Sequence, residues 1–395
     1  MPSALASLWS LDPAVTFLNH GSFGACPRAI VARQQELRAA LERAPVDFLW
    51  RSLEAPLDAA RAEVARLIAA RAEDVVFVPN ATSAVNAVLR SLEFAPGEEL
   101  LTTDHAYNAC HNVLVEVARR SGARVIVAPL PFPIRGPEEV VAAILAHLTP
   151  RTRLALLDHV TSPTALRLPL EQLIPALTAR GVETLVDGAH APGMLPLDVP
   201  ALGASYYTGN LHKWLCAPRG TGFLYVREDR QEAIQPTVIS HGYNTPRPGR
   251  SVLHDRFDWP GTADFTAWLC AGDAIRWCAS LFPGGLLELM QKNHALAVAA
   301  RRLLCERLGL AAPCPESMLG SMATLPLPER FQTGDGTSRA VIERFDPDQA
   351  HLFRALRIEV PFLRWGTPPR RWFRISAQAY NALEDYERLA VALSP

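Results

Sequence analysis

Lysine is almost absent from this sequence. Only two of its 39 Lys and Arg residues are lysine, at positions 213 and 292, and all the others are arginine. An arginine-rich composition can arise from codon usage alone. Arginine, however, stays protonated at any workable pH, whereas a partly buried lysine can lose its proton and attack a carbonyl carbon. The surroundings of Lys213, in the stretch "TGNLHKWLCAPRGTGFLYV" (208–226), must therefore decide between a compositional accident and a reactive amine.

Other features are missing too, and each absence excludes a class of protein. No apolar run approaches the roughly 18 residues that cross a bilayer. The net charge of −1 provides no bulk attraction to nucleic acid or to a membrane, so we expect neither as a partner. The N-terminal stretch lacks a basic start and contains Asp12, unlike a signal peptide. Seven scattered cysteines without a CxxC pair argue against disulfides or a metal site and favour a cytoplasmic location.

The middle of the chain alternates short β-rich runs with longer helical patterns. Several of the runs are continuously apolar, as expected for strands that are covered on both faces. This alternation predicts an α/β fold with a mostly parallel, doubly wound sheet. The predicted strands cover residues 75–79, 99–103, 124–130, 153–160, 183–187, 204–208 and 222–226. The predicted helices between them include 83–93, 107–120, 137–148 and 170–179.

The length of the chain predicts more than one domain. A chain of 395 residues exceeds the roughly 250–300 residues of a single core. Pro and Gly interrupt a helical pattern in "SLFPGGLLE" (280–288), which marks the boundary. We assign residues 21–282 to a large domain and 283–395 to a small C-terminal α+β domain, with residues 1–20 packing on the small domain. Outside the central sheet, we predict helices at 28–44, 55–70, 263–280, 286–309, 347–357 and 382–393, and strands at 322–327, 358–363 and 371–376.

Polar side chains follow several of the predicted strands. Asp187 ends one apolar strand, and Lys213 follows the next. Thr82 and Ser83 lie where another strand passes into a helix, whose N-terminus can bind an anion. Each feature alone has an ordinary explanation as a strand-ending aspartate or a helix cap. In such sheets ligands bind beyond the carboxyl ends of the strands, so these side chains are expected to share one site. An imine-forming lysine, a carboxylate and a phosphate cradle together are what pyridoxal phosphate requires, and the combination favours a site for that cofactor.

Further candidate residues occur at other strand ends. His105 and Tyr107, in "LLTTDHAYNAC" (100–110), could stack on a flat cofactor or transfer a proton, although such residues more often serve packing. His190 has the same two interpretations. Arg374 is a candidate for binding a substrate carboxylate, because a guanidinium matches a carboxylate in a bidentate manner. It could equally be a surface arginine on an edge strand.

These segments resemble the class V aminotransferase branch of fold-type I pyridoxal-phosphate enzymes. The resemblance covers nearly the whole chain and rests on "NATSAVN" (80–86), "VDGAH" (186–190), "TGNLHKW" (208–214) and "GTGFLYV" (220–226). Within that branch, the most similar members are isopenicillin N epimerase-like proteins, on the basis of "FLNHGSFGACP" (17–27), "PVDFLW" (45–50), "TTDHAYNAC" (102–110) and "DHVTSP" (158–163). The resemblance implies a seven-stranded sheet in a large cofactor-binding domain, pyridoxal 5′-phosphate as the cofactor, and a homodimer with shared active sites.

The resemblance also implies roles for individual residues. Lys213 would bind the cofactor aldehyde and Asp187 the pyridine nitrogen, with His190 near the phenolic oxygen. Tyr107, which we prefer over His105, would cover the ring and relay a proton. Further cofactor contacts would come from Thr82, Ser83, Ser162, Asn210 and His212, and from Thr262 toward the neighbouring subunit's phosphate. The substrate would contact Arg374, Asn19 and His20.

The reaction itself stays open at this level. After Lys213 removes the α-proton of an amino-acid substrate, reprotonation by Tyr107 gives epimerisation, loss of a β-thiolate or sulfenate gives C–S lysis, and protonation at the cofactor carbon gives transamination. No cysteine occurs from residue 360 to 374, where cysteine desulfurases carry their catalytic thiol, so we expect no persulfide chemistry. A non-catalytic cofactor-binding regulatory module is a further alternative, although neither end carries a DNA-binding segment.

Overall fold

The computed structural model describes residues 3–332, 346–366 and 368–394. Twelve strands occur in these ranges: β1 (Thr16–Phe17), β2 (Val75–Val78), β3 (Glu99–Thr103), β4 (Arg124–Ala128), β5 (Thr152–Asp158), β6 (Glu183–Asp187), β7 (Tyr206–Asn210), β8 (Gly222–Val226), β9 (Met322–Pro326), β10 (Ile358–Glu359), β11 (Phe362–Trp365) and β12 (Arg370–Ser376).

Fourteen α-helices accompany the strands in the same ranges: α1 (His20–Phe23), α2 (Arg28–Arg43), α3 (Glu54–Leu67), α4 (Ala81–Ser91), α5 (Asn108–Ser121), α6 (Pro137–Leu145), α7 (Leu170–Thr178), α8 (Val199–Leu202), α9 (Val252–Phe257), α10 (Thr266–Leu269), α11 (Ala271–Ser280), α12 (Gly285–Leu308), α13 (Pro347–Leu356) and α14 (Leu383–Leu393). Short 3₁₀ or π turns cover Ala6–Leu8, Asp47–Arg51, Ala72–Asp74, Glu228–Ala233, His241–Tyr243, Glu316–Met318 and Glu329–Phe331.

Seven strands form the central sheet, in the order β2-β8-β7-β6-β5-β3-β4. Strands β3 to β7 are parallel to one another. Strand β8 is antiparallel to both of its neighbours, so β2 points in the same direction as the five parallel strands. The predicted fold class is confirmed: the protein is α/β, with a mostly parallel seven-stranded sheet and a smaller C-terminal domain.

The central strands are buried on both faces, as their apolar runs predict. In β5, Leu154 and Leu156 pack into one apolar layer with side chains of α4 and α5. Ala155 and Leu157, which point to the opposite face, pack with side chains of α3 and α7. This alternation follows from the two-residue period of a strand. Helices on both faces leave only the ends of the strands open for polar side chains.

Local sequence determines where the site-forming helices begin and end. Asn80 caps α4, because its Oδ1 accepts a hydrogen bond from the Ser83 amide at 2.9 Å. Helix α5 ends at Ser121 and is followed by Gly122, whose φ of 76° lies in the left-handed region that favours glycine. Helix α4 begins shortly after β2, and α5 begins shortly after β3. The first turns of both helices therefore lie at the carboxyl edge of the sheet.

The C-terminal part contains a second, antiparallel sheet in the order β11-β12-β9, with α12 packed against α14. The N-terminal strand β1 pairs in parallel with β10, so Thr16 lies beside Ile358. The domain division at residues 20 and 282 stays a prediction.

Two predicted elements are each divided in the structure. The predicted helix 263–280 is interrupted at Cys270, whose ψ of −4° departs from the helical value near −42°. The predicted strand 358–363 is split into β10 and β11 around Val360 and Pro361. Proline lacks an amide hydrogen and cannot donate to a strand ladder, which explains the second interruption.

Candidate active site

The carboxyl ends of β2, β5, β6 and β7 converge on a cavity of about 510 Å³. Cavities in this position are the usual ligand sites of open α/β sheets. Nine of the residues predicted from the sequence line it: Thr82, Ser83, Tyr107, Ser162, Asp187, His190, Asn210, His212 and Lys213. The structure therefore brings together residues that are up to 131 positions apart in the chain.

Lys213 follows β7 and points its amine into the cavity, where Nζ lies 3.1 Å from Nε2 of His190. Lys213 is half-buried and lines the cavity. Burial, together with the positive charge of Arg374, lowers the pKa of Lys213 from 10.5 to about 8. About a tenth of the amine is therefore unprotonated at pH 7, and about half at pH 8, and the unprotonated form is able to act as a nucleophile or base.

Asp187 ends β6 at the floor of the cavity and is 4% exposed. Its Oδ1 accepts a hydrogen bond from the Ala189 amide at 3.0 Å, and its Oδ2 accepts one from Sγ of Cys110 at 3.1 Å. Two donors thus fix the orientation of the carboxylate. Such a group is suited to hold a cationic ring nitrogen.

A second carboxyl group at the floor, Asp158, was missed by the sequence analysis. Asp158 is the register partner of Asp187 on the neighbouring strand, and it also lines the cavity. Burial and the charge of Asp187 raise the pKa of Asp158 well above its usual range. The signal was present in the sequence, because "DHVTSP" places an aspartate at a strand end in the same way as "VDGAH".

A further part of the cavity lining is suited to an anion. It is formed by the N-terminus of α4, with Thr82 and Ser83 in the first turn of that eleven-residue helix. Asn210, at the end of β7, accepts a hydrogen bond through Oδ1 from the Ala81 amide at 2.9 Å and so docks the helix on the sheet. His212 also lines the cavity, and its Nδ1 lies 2.9 Å from the carbonyl oxygen of Thr221.

The structure separates the two candidates for the ring-stacking residue. Tyr107 lines the cavity and is 46% exposed. His105 is buried elsewhere: its Nδ1 lies 2.6 Å from Oγ1 of Thr164, and its ring packs edge-on against Trp365. Of the two, only Tyr107 borders the cavity in the part of the chain that the structure describes. The role of Tyr107 as the ring-covering residue stays a prediction.

Arg374 lies on β12 and reaches the cavity wall from the C-terminal sheet. Its guanidinium donates to Ser162, through the carbonyl and hydroxyl oxygens, and to Oγ of Ser22 at 3.0 Å. Burial lowers its pKa to about 10, and Nε has no hydrogen-bond partner among the described residues. A buried cation with an unused N–H is suited to bind a carboxylate.

Asn19 and His20, the other predicted substrate contacts, lie behind the cavity wall. Asn19 accepts a hydrogen bond from the hydroxyl of Ser22 and donates one to Glu359. His20 Nε2 lies 2.9 Å from the carbonyl oxygen of Lys213, and its Nδ1 lies 2.8 Å from the Tyr380 hydroxyl. In this arrangement both residues support Ser22 and Lys213 rather than border the cavity.

Gly24 allows the N-terminal segment to approach the loop that carries Lys213. Gly24 has a φ of 68°, and a Cβ added there would lie 2.0 Å from the carbonyl oxygen of His212. Only glycine permits both that backbone conformation and this close approach. The N-terminal segment "NHGSFG" (19–24) therefore packs directly on the loop that carries the lysine. Thr262, by contrast, is exposed and does not line the cavity of this chain.

We also searched the described residues for metal-binding clusters and for membrane-spanning helices. They contain no group of three or more His, Cys, Asp or Glu side chains arranged to bind a metal ion. No helix among them combines the length and apolar character needed to cross a bilayer.

The chain belongs to the aminotransferase class-V family, which matches residues 25–329. It is 38% identical to the isopenicillin N epimerase of Streptomyces clavuligerus over 97% of this chain and 95% of the relative. It is 31% identical to a putative L-cysteine desulfhydrase of Oryza sativa subsp. japonica, over 97% and 83% of the two chains. The fold is similar to that of C-DES, a cystine C–S lyase. The comparison with a C-DES variant that has glycine covalently linked to its PLP cofactor gives a TM-score of 0.78 at 21% identity, and it covers 96% of each chain.

Family membership confirms the cofactor predicted from the sequence, pyridoxal 5′-phosphate. The side chains present fit this molecule. The α4 N-terminus with Thr82 and Ser83 offers donors for a phosphate, Asp187 offers a carboxylate for a ring nitrogen, and Lys213 offers an amine of lowered pKa for an aldehyde.

Proposed function

We propose that this protein is a pyridoxal-phosphate enzyme that removes the α-proton of an amino acid or amino-acid derivative, with epimerisation as the reaction. One observation carries the proposal: an amine of lowered pKa, Lys213, shares a cavity with Tyr107, while Arg374 reaches the wall of that cavity. Epimerisation requires two groups that exchange protons with the same carbon, and Lys213 and Tyr107 are the two candidates. The 38% identity to an isopenicillin N epimerase supports this choice of reaction.

Each residue then has a defined task. When bound, pyridoxal phosphate supplies an electron-withdrawing ring that acidifies the α-carbon of an attached amine. Arg374 binds the substrate carboxylate and so orients the α-carbon. Lys213 takes the α-proton on its amine, and Tyr107 supplies a proton from its phenol. Asp187 holds the proton on the ring nitrogen, which favours withdrawal of electrons from the substrate.

A second candidate reaction is C–S β-elimination from a cysteine-derived substrate. The observation in its favour is the 31% identity to L-cysteine desulfhydrases over nearly the whole chain. The same Lys213 would remove the α-proton, and a β-thiolate would leave in place of reprotonation. We exclude a persulfide-forming desulfurase from the proposal, because no cysteine lines the described cavity and Cys110 lies behind Asp187.

The assembly and location form part of the same proposal. We propose a homodimer in which Thr262 reaches the phosphate site of the partner, because Thr262 is exposed and outside the cavity of its own chain. We propose the cytoplasm as the location, because all seven cysteines are free thiols in the structure. Sedimentation of the purified protein tests the first statement: a monomer at micromolar concentration would contradict it.

The covalent step is tested by reduction with borohydride followed by peptide mapping. The two lysines of the chain make this test unambiguous. We expect the cofactor label on Lys213 and none on Lys292, which is 52% exposed and paired with Glu288. Label on Lys292, or on neither lysine, would reject the assigned chemistry. Lys213→Arg should retain the fold and lose exchange of the α-proton in deuterated water, whereas Lys292→Arg should retain both.

The reaction is tested with a panel of D- and L-amino acids and cysteine conjugates. Epimerisation predicts inverted stereochemistry and incorporation of one solvent deuteron at the α-carbon. Elimination predicts pyruvate and a free thiol, and transamination predicts a keto acid. Pyruvate formation without inversion would replace the first proposal by the second.

A further inference from the structure

Trp214 follows the reactive lysine directly and is fully buried beneath the cavity wall. Its indole Nε1 lies 3.4 Å from Nδ1 of His190, and the other ring nitrogen of that histidine lies 3.1 Å from Nζ of Lys213. The imidazole thus bridges the indole and the amine. His190 itself is 2% exposed, so water has little access to either side of the bridge.

The donor and acceptor capacities of the indole, the imidazole and the amine determine where the protons of this bridge lie. An indole N–H can only donate a hydrogen bond, so the facing Nδ1 of His190 must be an unprotonated acceptor. A neutral imidazole carries one N–H, which must then be on Nε2. That N–H points at Nζ of Lys213. An ammonium group has no lone pair, so only a neutral amine can accept this hydrogen bond.

We propose that Trp214 is a positioning residue that fixes His190 as the Nε2–H tautomer, and that His190 in turn donates a hydrogen bond to the unprotonated amine of Lys213. The opposite tautomer would place two N–H groups against each other at Nδ1 and would leave Nε2 free to accept from a protonated lysine. This inference rests on the proposed function in one respect, namely that Lys213 is the reactive amine.

The charged and buried groups around the bridge lower the pKa values of both His190 and Lys213 on balance. Burial lowers the pKa of His190 well below its usual range, and the charges of Lys213 and Arg374 add to this effect. His20, which supports the lysine backbone, also has its pKa lowered by burial, to about 4. The carboxylate of Asp187 on the floor favours the protonated lysine, but burial and the charge of Arg374 outweigh it. Above a pH of about 8, the pKa of Lys213, a neutral pair of His190 and Lys213 therefore predominates.

The proposal is tested on the full-length chain after removal of the cofactor, so that no turnover is involved. Nitrogen-15 NMR of labelled histidine distinguishes the two tautomers, and a His190→Gln variant assigns the signal among the 11 histidines. We expect the His190 signals of the Nε2–H tautomer in the wild-type protein. The spectrum is recorded at pH 9, above the Lys213 pKa of about 8. A wild-type spectrum there with the proton on Nδ1, or with both nitrogens protonated, would overturn the proposal, and this test needs no variant of Trp214.

A second measurement uses the scarcity of lysine. Reductive methylation of the same cofactor-free protein, read by mass spectrometry at several pH values, gives separate titration midpoints for Lys213 and Lys292. Trp214→Phe removes the N–H but keeps an aromatic ring. We expect this variant to raise the Lys213 midpoint by about 0.5–1 pH unit, as for the loss of one hydrogen bond. The Lys292 midpoint should not change.

The matched control is Trp268→Phe, because the buried Trp268 indole donates to the carbonyl oxygen of Gly220 at 2.9 Å and takes no part in the bridge. It should leave both the His190 spectrum and the Lys213 midpoint unchanged. An unchanged Lys213 midpoint in a folded Trp214→Phe protein would contradict the proposal. If borohydride labels Lys213 but these outcomes fail, the positioning role is wrong and the proposed function stands. Absence of that label would contradict the proposed function whatever the tautomer.

Discussion

The thiol of Cys110 donates a hydrogen bond to Oδ2 of Asp187 across 3.1 Å. Cys110 lies in the first turn of α5 and is 1% exposed. Burial and the charge of Asp187 raise the pKa of this thiol well above its usual range, so it remains a donor throughout the working pH range. One side chain therefore connects the helix after β3 to the carboxylate that ends β6.

This contact makes Cys110→Ala a test of how much the orientation of Asp187 matters. A hydrogen bond to a charged group contributes about 1.5–3 kcal/mol. We expect the alanine variant to bind pyridoxal phosphate about tenfold more weakly in an absorbance titration, and Cys110→Ser to recover most of the loss. Cys270→Ala removes another buried thiol and should leave the affinity unchanged. Equal affinity of Cys110→Ala and wild type would show that Ala189 alone is sufficient to orient the carboxylate.

Arg374→Lys tests the assigned carboxylate site. Lysine keeps the positive charge but loses the guanidinium fork, so we expect the substrate KM to rise about 10- to 100-fold while kcat changes less. Steady-state kinetics provide the measurement. Arg370→Lys, at the exposed start of the same strand, is the control and should behave like wild type. An unchanged KM in Arg374→Lys would remove Arg374 from the substrate site.

Tyr107→Phe separates the two proton-transfer steps. The substitution keeps a ring over the cavity and removes the phenol. We expect inversion of the substrate to fall by about 10²- to 10⁴-fold. Exchange of the α-proton with deuterated water, which requires Lys213, should persist. Chiral chromatography and NMR measure the two processes. Tyr243→Phe, at a site that is 61% exposed, serves as the control. Full inversion by Tyr107→Phe would reject the phenol as a proton donor.

The lowered pKa of Lys213 makes stability depend on pH. The folded-state pKa of about 8 lies below the value of 10.5 for a free lysine side chain, so the unfolded chain binds more protons between these pH values. The free energy of unfolding therefore gains about 2–3 kcal/mol from this group as the pH rises through that window, after allowance for solvent in the cavity. At pH 7 the full cost of the buried charge is present.

Other groups titrate in the same window, so the effect must be measured as a difference. Cofactor-free Lys213→Met lacks the buried charge, and we expect it to be more stable than wild type in urea at pH 7. This advantage should shrink as the pH approaches 10. Lys292→Met should show no such trend, because Lys292 is half exposed. A constant difference between Lys213→Met and wild type would mean that Lys213 has an ordinary pKa.

Much of the large domain was predictable because its strands are short, apolar and buried on both faces. The strands 99–103, 183–187 and 222–226 were predicted with their observed boundaries. Elements interrupted by a single residue were harder to predict, as Cys270 and Pro361 show. The short helix His20–Phe23 was missed, since four residues provide no periodicity.

The site residues that could be predicted from the sequence are those at or just after the ends of predicted strands. Asp187 ended a predicted strand, Lys213, Thr82 and Ser83 followed predicted strands, and all four line the cavity. Asp158 lay inside the predicted strand 153–160 and was not recognised, because the true end of β5 at Asp158 and its proximity to Asp187 depend on the pairing of β5 with β6. Strand order is a long-range property that the sequence of one strand does not contain.

The sequence by itself determined the α/β architecture, the single reactive lysine candidate and the family, because apolar periodicity and a rare residue in a specific motif are local properties. The tertiary structure alone decided which of Tyr107 and His105 borders the cavity, and it placed Asn19 and His20 behind the wall. It also decided that Cys110 reaches Asp187 and that Trp214 reaches His190. These choices depend on side-chain direction and on contacts between distant segments, which arise only when the helices pack on the sheet.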